Sequence, residues 1–478
     1  MKRVITLMLA LAMVFGAVAT SSATDFKAKG TFQMGYEWTD NANFNDSEAD
    51  GKSEDDFVAA QRFRTQIDMV ASENLSGVVF FEINNIWGRG DNTAGRTTGG
   101  QIGADGVNVQ TRRAYIDWTV PNTALDIRMG IQGLALPGAV AGSPILDNDV
   151  AAVVASYKFN DMFSMTGFWA RPYDTSKGDT TDDDITGTNK QDEMDMFGLI
   201  GGIKLDGMEF TPYAVYSAIG KDITSDKDFQ SIMGAQGTAT AEDNARAYWL
   251  GMGYSLDMFD PIVFSMDAIY GAVDAGDVKN AGVDDNALDR SGWTIIGKLS
   301  YKMDMVTPGV IGWYASGEDD DLDNGSERMP FIDGAFGATS FGFDGAAVGF
   351  ATYDVLGTTN VGTWAAGLLL EDIKVIDSLT SQIRVVYVQG TNDADIVKEA
   401  GYFAPNSVSD DGYFLTDEDS AWEINFDHKY DIYENLALFV EMGYINLDLD
   451  EDTWNLSGND QKYDEDAYKL GFYFQYTF

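Results

Sequence analysis

A closed, antiparallel β-barrel of about 16–18 strands, a transmembrane barrel with short turns on one rim and long loops on the other, is the fold the 478-residue sequence predicts. Three observations predict it. Apolar and polar residues alternate with period two along nearly the whole chain. Connections sort into very short turns and long polar loops, taken in alternation. The chain ends on a strand-like run whose terminal residue is aromatic.

The last twelve residues carry the clearest alternation. Tyr468, Leu470, Phe472, Phe474, Tyr476 and Phe478 interleave with Ala467, Lys469, Gly471, Tyr473, Gln475 and Thr477. Successive strand side chains point to opposite faces, so one face is wholly apolar and the other mostly polar. Near the other end, Phe26, Ala28, Phe32, Met34, Tyr36 and Trp38 interleave with Lys27, Lys29, Thr31, Gln33, Glu37 and Thr39. Between them the pattern returns in about eighteen segments of roughly 8–15 residues, the signature of barrel strands. Short turns fall at 73–77, 121–124, 160–161, 206–207, 257–261, 304–308 and 433–435. Segments rich in Asp, Asn, Gly, Ser and Thr fill 39–56, 88–106, 133–149, 172–193, 219–244, 273–291, 317–361, 391–420 and 447–466.

The first residues read as a processing signal. Lys2 and Arg3 precede an apolar run from Val4 to Ala19, followed by Ser21, Ser22 and Ala23. This is a secretory signal peptide, 1–23, with cleavage expected after Ala23 or alternatively after Ala19. The run is shorter than the ~20 residues a membrane-spanning helix needs. The exported unit is then a single barrel, 24–478.

Composition removes most chemistry. With no cysteine and one histidine, the chain offers no disulfide framework, no Cys-ligated metal and little acid–base machinery, so no enzyme activity is expected. A formal charge of −45 disfavours nucleic-acid binding. Yet 45% of residues are hydrophobic and 13% aromatic, which disfavours disorder. A barrel of this size is too wide for side chains to fill. The polar rows therefore line water and the aromatic rows face lipid, with closure leaving no unpaired backbone edge.

The terminal Phe478 on its aromatic strand, the first strand at 26–38 and the barrel pattern between them resemble the Gram-negative outer-membrane trimeric porins of the general-diffusion type. The chain looks most like the acidic porins of sulfate-reducing bacteria. The resemblance implies a homotrimer in the outer membrane, contact with lipid and lipopolysaccharide, and Phe478 as the signal read by the barrel-assembly machinery. It also implies a basic wall cluster facing an acidic loop folded into the lumen after the fifth strand, here 133–149 with Asp147 and Asp149. Parity puts Arg62, Arg64, Arg113 and Arg128 on lumen-facing rows. Ordinary solvated wall residues are the other reading of these arginines. Opposed charges across a pore would orient dipolar solutes. The Gly- and Phe-rich segment 317–361 is the alternative inward loop.

Acidic runs crowd the loops at 40–56, 182–184, 318–321 and 448–452. Asp448, Asp450 and Asp452 are candidate ligands for Ca2+ or Mg2+, a solvated charged rim being the other reading. No other cofactor is expected. The expected function is passive diffusion of ions and small hydrophilic solutes through a water-filled channel with a mild cation bias. The rivals are a channel specific for sugars or carboxylates and a non-conducting surface barrel.

Overall fold

Strand after strand pairs antiparallel with its sequence neighbour, and the last pairs with the first. The computed structural model describes residues 24–44, 56–89, 100–102, 109–174, 193–221, 242–277, 286–321, 324–350, 355–400, 412–454 and 465–478, apart from the side chains of 56, 399 and 400. The expected signal peptide and the acidic runs at 46–55 and 182–184 lie outside these residues. Among the described residues there are eighteen strands: β1 (Asp25–Asp40), β2 (Asp56–Ser72), β3 (Leu75–Ile86), β4 (Gln110–Thr119), β5 (Leu125–Ala135) and β6 (Asp147–Lys158). They continue as β7 (Phe163–Asp174), β8 (Glu193–Leu205), β9 (Met208–Ile219), β10 (Ala245–Phe259), β11 (Ile262–Asp274) and β12 (Arg290–Tyr301). The circle is completed by β13 (Thr307–Ala315), β14 (Thr363–Ile376), β15 (Leu379–Gly390), β16 (Ser420–Tyr433), β17 (Leu436–Asp448) and β18 (Ala467–Thr477). One short helix, α1 (Ala394–Ala400), lies between β15 and β16.

Closure runs from Thr31↔Thr477 to Asp40↔Tyr468. Gly30 and Phe478 exchange two backbone hydrogen bonds of 3.0 Å beyond that ladder. The Phe478 ring stacks on Phe63 of β2, 5.9 Å between centroids. Each sheet edge is thereby consumed.

The expected alternation is present. On β1, Gln33 and Glu37 are buried inward, while Met34 and Trp38 stand exposed on the outside. The outer face carries Trp118, Trp169, Leu250, Trp293, Leu368 and Trp422, all exposed. Such a continuous apolar belt needs an apolar medium. The turns expected from sequence all join strands. One more, at 377–378 between β14 and β15, was not expected, because the bulge at Leu370/Ile373 interrupts the period that would have marked it.

The lumen departs from expectation. Polar rows were expected to meet water on every side, but the inward rows of β7–β11 and β13–β15 are largely apolar and buried. Met194, Met196, Val215, Ala247, Trp249 and Ile269 form one cluster with Phe331 and Ile332. Ile311, Trp313, Leu369, Val386 and Val388 form another with Phe336, Phe341 and Phe343. The phenylalanines belong to 324–350, which folds inward between β13 and β14. A barrel this wide needs such chain segments to give its inner side chains packing partners. Trp249 is fully buried and its indole N–H donates to the Pro330 carbonyl at 2.8 Å.

Replacing Trp249 with Ala opens a cavity under 324–350 and is expected to cost roughly 3–5 kcal/mol of local packing. Limited proteolysis should then cut the inward segment while the barrel keeps its heat-modifiable migration. Unchanged protease resistance would count against this packing role.

Candidate pore constriction

Two segments cross the lumen. Residues 136–146, between β5 and β6, reach inward to β11, where the Ala139 and Val140 backbone N–H groups donate to the two Asp267 carboxylate oxygens at 2.7 and 2.9 Å. The second is 324–350. The two are joined by backbone hydrogen bonds from Ile332 to Ile145, Ala335 to Ser143 and Gly337 to Ala141, 2.9, 2.8 and 2.7 Å.

The longer segment is fastened around much of the wall. The Arg290 guanidinium of β12 donates to the Arg328 and Met329 carbonyls. Glu423 of β16 accepts from the Phe341 and Gly342 N–H groups and from the Thr339 hydroxyl. Glu441 of β17 accepts from the Ala347 N–H at 2.7 Å and from Lys469 of β18 at 2.9 Å. The Phe350 ring lies against Gly35 of β1, where any Cβ would sit 2.4 Å from it. Arg62 of β2 donates to the Gly349 carbonyl at 2.8 Å, its guanidinium over the Phe350 ring.

Beyond Arg62 the wall becomes wet. Side chains of Glu423, Glu441 and Lys469 are buried, whereas those of Arg64, Arg112, Arg113 and Arg128 are 28–41% exposed. The polar path through the lumen therefore follows the β2–β5 wall. Along it, Arg64 donates to Glu82 at 2.6 Å, and Arg112 bridges Glu82 at 3.2 Å and Asp149 at 2.7 Å. Arg113 donates to Asp149 at 2.5 Å. Nearer the short turns, Arg128 forks onto Asp117 directly across the β4–β5 ladder at 2.6 and 3.0 Å and stacks on Tyr115.

The sequence-predicted residues are thus only partly brought together. Arg62, Arg64 and Arg113 lie along this upper stretch of the path. Arg128 sits lower, in its own wall pair. Asp147 and Asp149 are not on the crossing loop, because β5 runs on to Ala135 and β6 begins at Asp147. Both fall on the β6 row that continues into exposed Val153 and Tyr157. Asp149 joins the arginines on their own wall and does not face them.

Arg112 was missed because strict alternation cannot give two consecutive residues one partner. The bulge at Phe80/Phe81 leaves Arg112 as the extra residue and brings it with Arg113 onto Asp149. Asp333 and Asp344 were also missed. They lie on 324–350, and Asp344 feels the charges of Asp147 and Asp333. Burial pushes both above the ordinary aspartate range, with the neighbouring carboxylates adding to it for Asp344.

The other sequence candidates are placed as follows. Asp450 accepts the Thr453 N–H at 2.7 Å and its own N–H donates to Asp419 at 2.9 Å. Asp448, Asp450 and Asp452 do not converge: among the described residues, no three acidic or histidine side chains form a metal-holding group. Phe478 lies on the outer face at the seam.

No family model matches the chain, and no curated protein sequence does. Solved structures do. OccAB3 of Acinetobacter baumannii is similar at TM-score 0.54 and 11% identity, over 95% of this chain and 100% of that one. OpdL of Pseudomonas aeruginosa is similar at 0.51 and 13%, over 95% and 99%. OprD of the same organism is similar at 0.50 and 13%, over 96% and 97%. The class is that of closed antiparallel β-barrels with an apolar outer belt. At these identities the likeness is one of fold.

Replacing Asp267 with Ala removes two charge-assisted hydrogen bonds, each worth about 1.5–3 kcal/mol, from the tip of 136–146. Bilayer recordings should show higher, noisier conductance. Wild-type conductance would count against the strut.

Proposed function

We propose that the chain is an outer-membrane channel through which ions and small hydrophilic solutes diffuse along the β2–β5 wall. The observation that carries this reading is the uneven wetness of the lumen beside the crossing segments, with the arginines of the β2–β5 wall partly exposed and Glu423, Glu441 and Lys469 buried under chain. The fold neighbours are outer-membrane channels of the OprD and Occ kind, which supports it. Nothing is transformed; passage is limited by the width left beside the crossing segments and by the charges along it.

Ion preference is proposed to be mildly cationic. The wall arginines are largely matched by Glu82, Asp117 and Asp149, leaving Asp147, Asp333 and Asp344 to set the balance. The arginine row favours a second reading, a channel selective for solutes bearing a carboxylate, since a guanidinium fork matches that group in two hydrogen bonds.

The remaining proposals concern place and partners. Export through the signal peptide delivers the chain to the outer membrane, where the barrel-assembly machinery reads Phe478. There it forms a homotrimer, as the porins it resembles do, and divalent cations bridge the acidic loops to lipopolysaccharide.

Planar-bilayer recording of the purified protein tests the main reading. A large conductance linear in salt favours general diffusion. Block by a small dicarboxylate favours the selective channel, and no conductance favours a structural barrel. Reversal potentials carry a further prediction. Groups with a raised pKa take up protons before ordinary aspartates near pH 4. Cation preference should therefore fall on acidification at a pH above the ordinary aspartate range, through loss of the Asp333 and Asp344 charges. The double variant Asp333→Asn with Asp344→Asn should start at the lower preference and show a weaker pH dependence, carried by Asp147. A double variant that keeps the wild-type pH response would refute this assignment.

A further inference from the structure

The inward segment 324–350 meets the wall at places where the wall has no side chain. Among the described residues, four strand glycines lie under it. A Cβ on Gly443 of β17 would fall 2.7 Å from Phe341, and one on Gly271 of β11 would fall 2.9 Å from Pro330. A Cβ on Gly292 of β12 would meet the backbone of Glu327 and Met329. The fourth is Gly35 of β1, beneath Phe350. Carbon atoms pack at about 3.5–4.0 Å, so each notch excludes a larger residue while the segment is seated.

Gly35 differs from the other three in where it lies. Phe341, Pro330 and Met329 are buried, whereas Phe350 is half-buried. Gly35 pairs with Ala60 of β2 on one side and with Tyr473 of β18 on the other. Two small residues side by side thus leave a shallow seat between Arg62 and Tyr473. Tyr473 is fully buried and its hydroxyl donates to Glu37, so that side of the seat is fixed. The Phe350 ring stacks on Tyr473 at 6.1 Å between centroids and carries the Arg62 guanidinium at 5.0 Å. Two residues along β2 from Arg62, Arg64 is already partly exposed on the wet wall. Phe350 therefore stands where the inward segment meets the polar path.

We propose that Phe350 sets the width of the path at this point, and that Gly35 is the residue that positions it, by letting the ring lie back against the wall. The inference rests on the channel reading and adds to it the side chain that limits solute size. A Cβ at position 35 would fall within 3.0 Å of two Phe350 ring carbons and of Tyr473 Cδ1. Something must then shift. Tyr473 is held by burial and by Glu37, and the β1 backbone is held by a ladder on each side. The ring alone has water on its open side, so it moves into the path.

Single-channel recording of the full chain, with heat-modifiable migration as the check on folding, tests the proposal. Phe350→Ala should raise conductance about 1.5-fold and admit larger neutral polyethylene glycols, and Gly35→Ala should lower conductance by a similar factor. Adding Gly35→Ala to Phe350→Ala should change nothing further, because no ring is left to displace. Wild-type conductance in Phe350→Ala would overturn its role at the path. An equal loss from Gly35→Ala with and without the ring would overturn Gly35 as its positioning residue. The seat can also be read without current. The chain has no cysteine, so Gly349→Cys supplies one thiol beside the ring. That thiol should react with a maleimide several-fold faster once Gly35→Ala is added, and an unchanged rate would overturn the seat. Faster labelling in a protein that passes no current would overturn the channel reading and leave the seat standing.

Discussion

The seam between β1 and β18 is the contact on which the rest of the structure depends. Before it forms, the sheet has two open edges and no inside; the same alternating rows have no fixed meaning. Once Thr31 through Asp40 pair with their partners on β18, period two becomes a division between lumen and exterior. A slip of one residue in that register would turn Trp38 inward and Glu37 towards lipid, so burial of one row enforces the pairing. The terminal Phe478 extends the seam by two backbone hydrogen bonds and packs its ring on β2, tying three strands at the closing point.

Closure at eighteen strands creates the next problem, an interior that wall side chains cannot fill. The chain answers by folding 136–146 and 324–350 inward, and turns of this kind carry backbone N–H groups with no ladder partner. Wall carboxylates accept them. Asp267 takes two, Glu423 takes two and Glu441 takes one, each from an inward turn. Asp419 does the same between the outer loops, accepting from Thr416 and Asp450. The acidic residues of the lumen wall therefore divide by role. Some anchor chain and are buried; others, such as Glu82 and Asp117, offset arginines beside water.

Much of the barrel was legible because lipid-facing rows must be apolar wherever they occur, which makes alternation a direct readout of the outside. The inside was less legible for the same reason. An inward Glu423 obeys the same alternation whether it meets water or the Gly342 N–H, and the sequence around it does not distinguish the two. Apolar inward residues such as Trp249 carry a weak signal of their own, since a row expected to be wet has no use for a buried indole. The arginines at 62, 64 and 113 were legible by parity. Arg112 was not, because a bulge is a local break in the period that parity assumes. Asp147 and Asp149 were drawn onto a loop because two strands continue further into the 133–149 segment than its turn-like composition suggests.

Charge is the last thing the fold rearranges. The net −45 is a property of the whole chain, but what a solute meets is set by a few groups left in water beside the crossing segments. Along the β2–β5 wall, arginines and carboxylates alternate from Arg64 to Glu82, Arg112 and Asp149 in contacts of 3.2 Å or less, so the wall is polar without being strongly charged. The segment beside it contributes Asp333 and Asp344, both held above the ordinary aspartate range by partial desolvation. Screening over about 8 Å at physiological salt confines the field of more distant carboxylates to their own neighbourhood. The charge of the lumen rests on which of its few wet groups keep a partner.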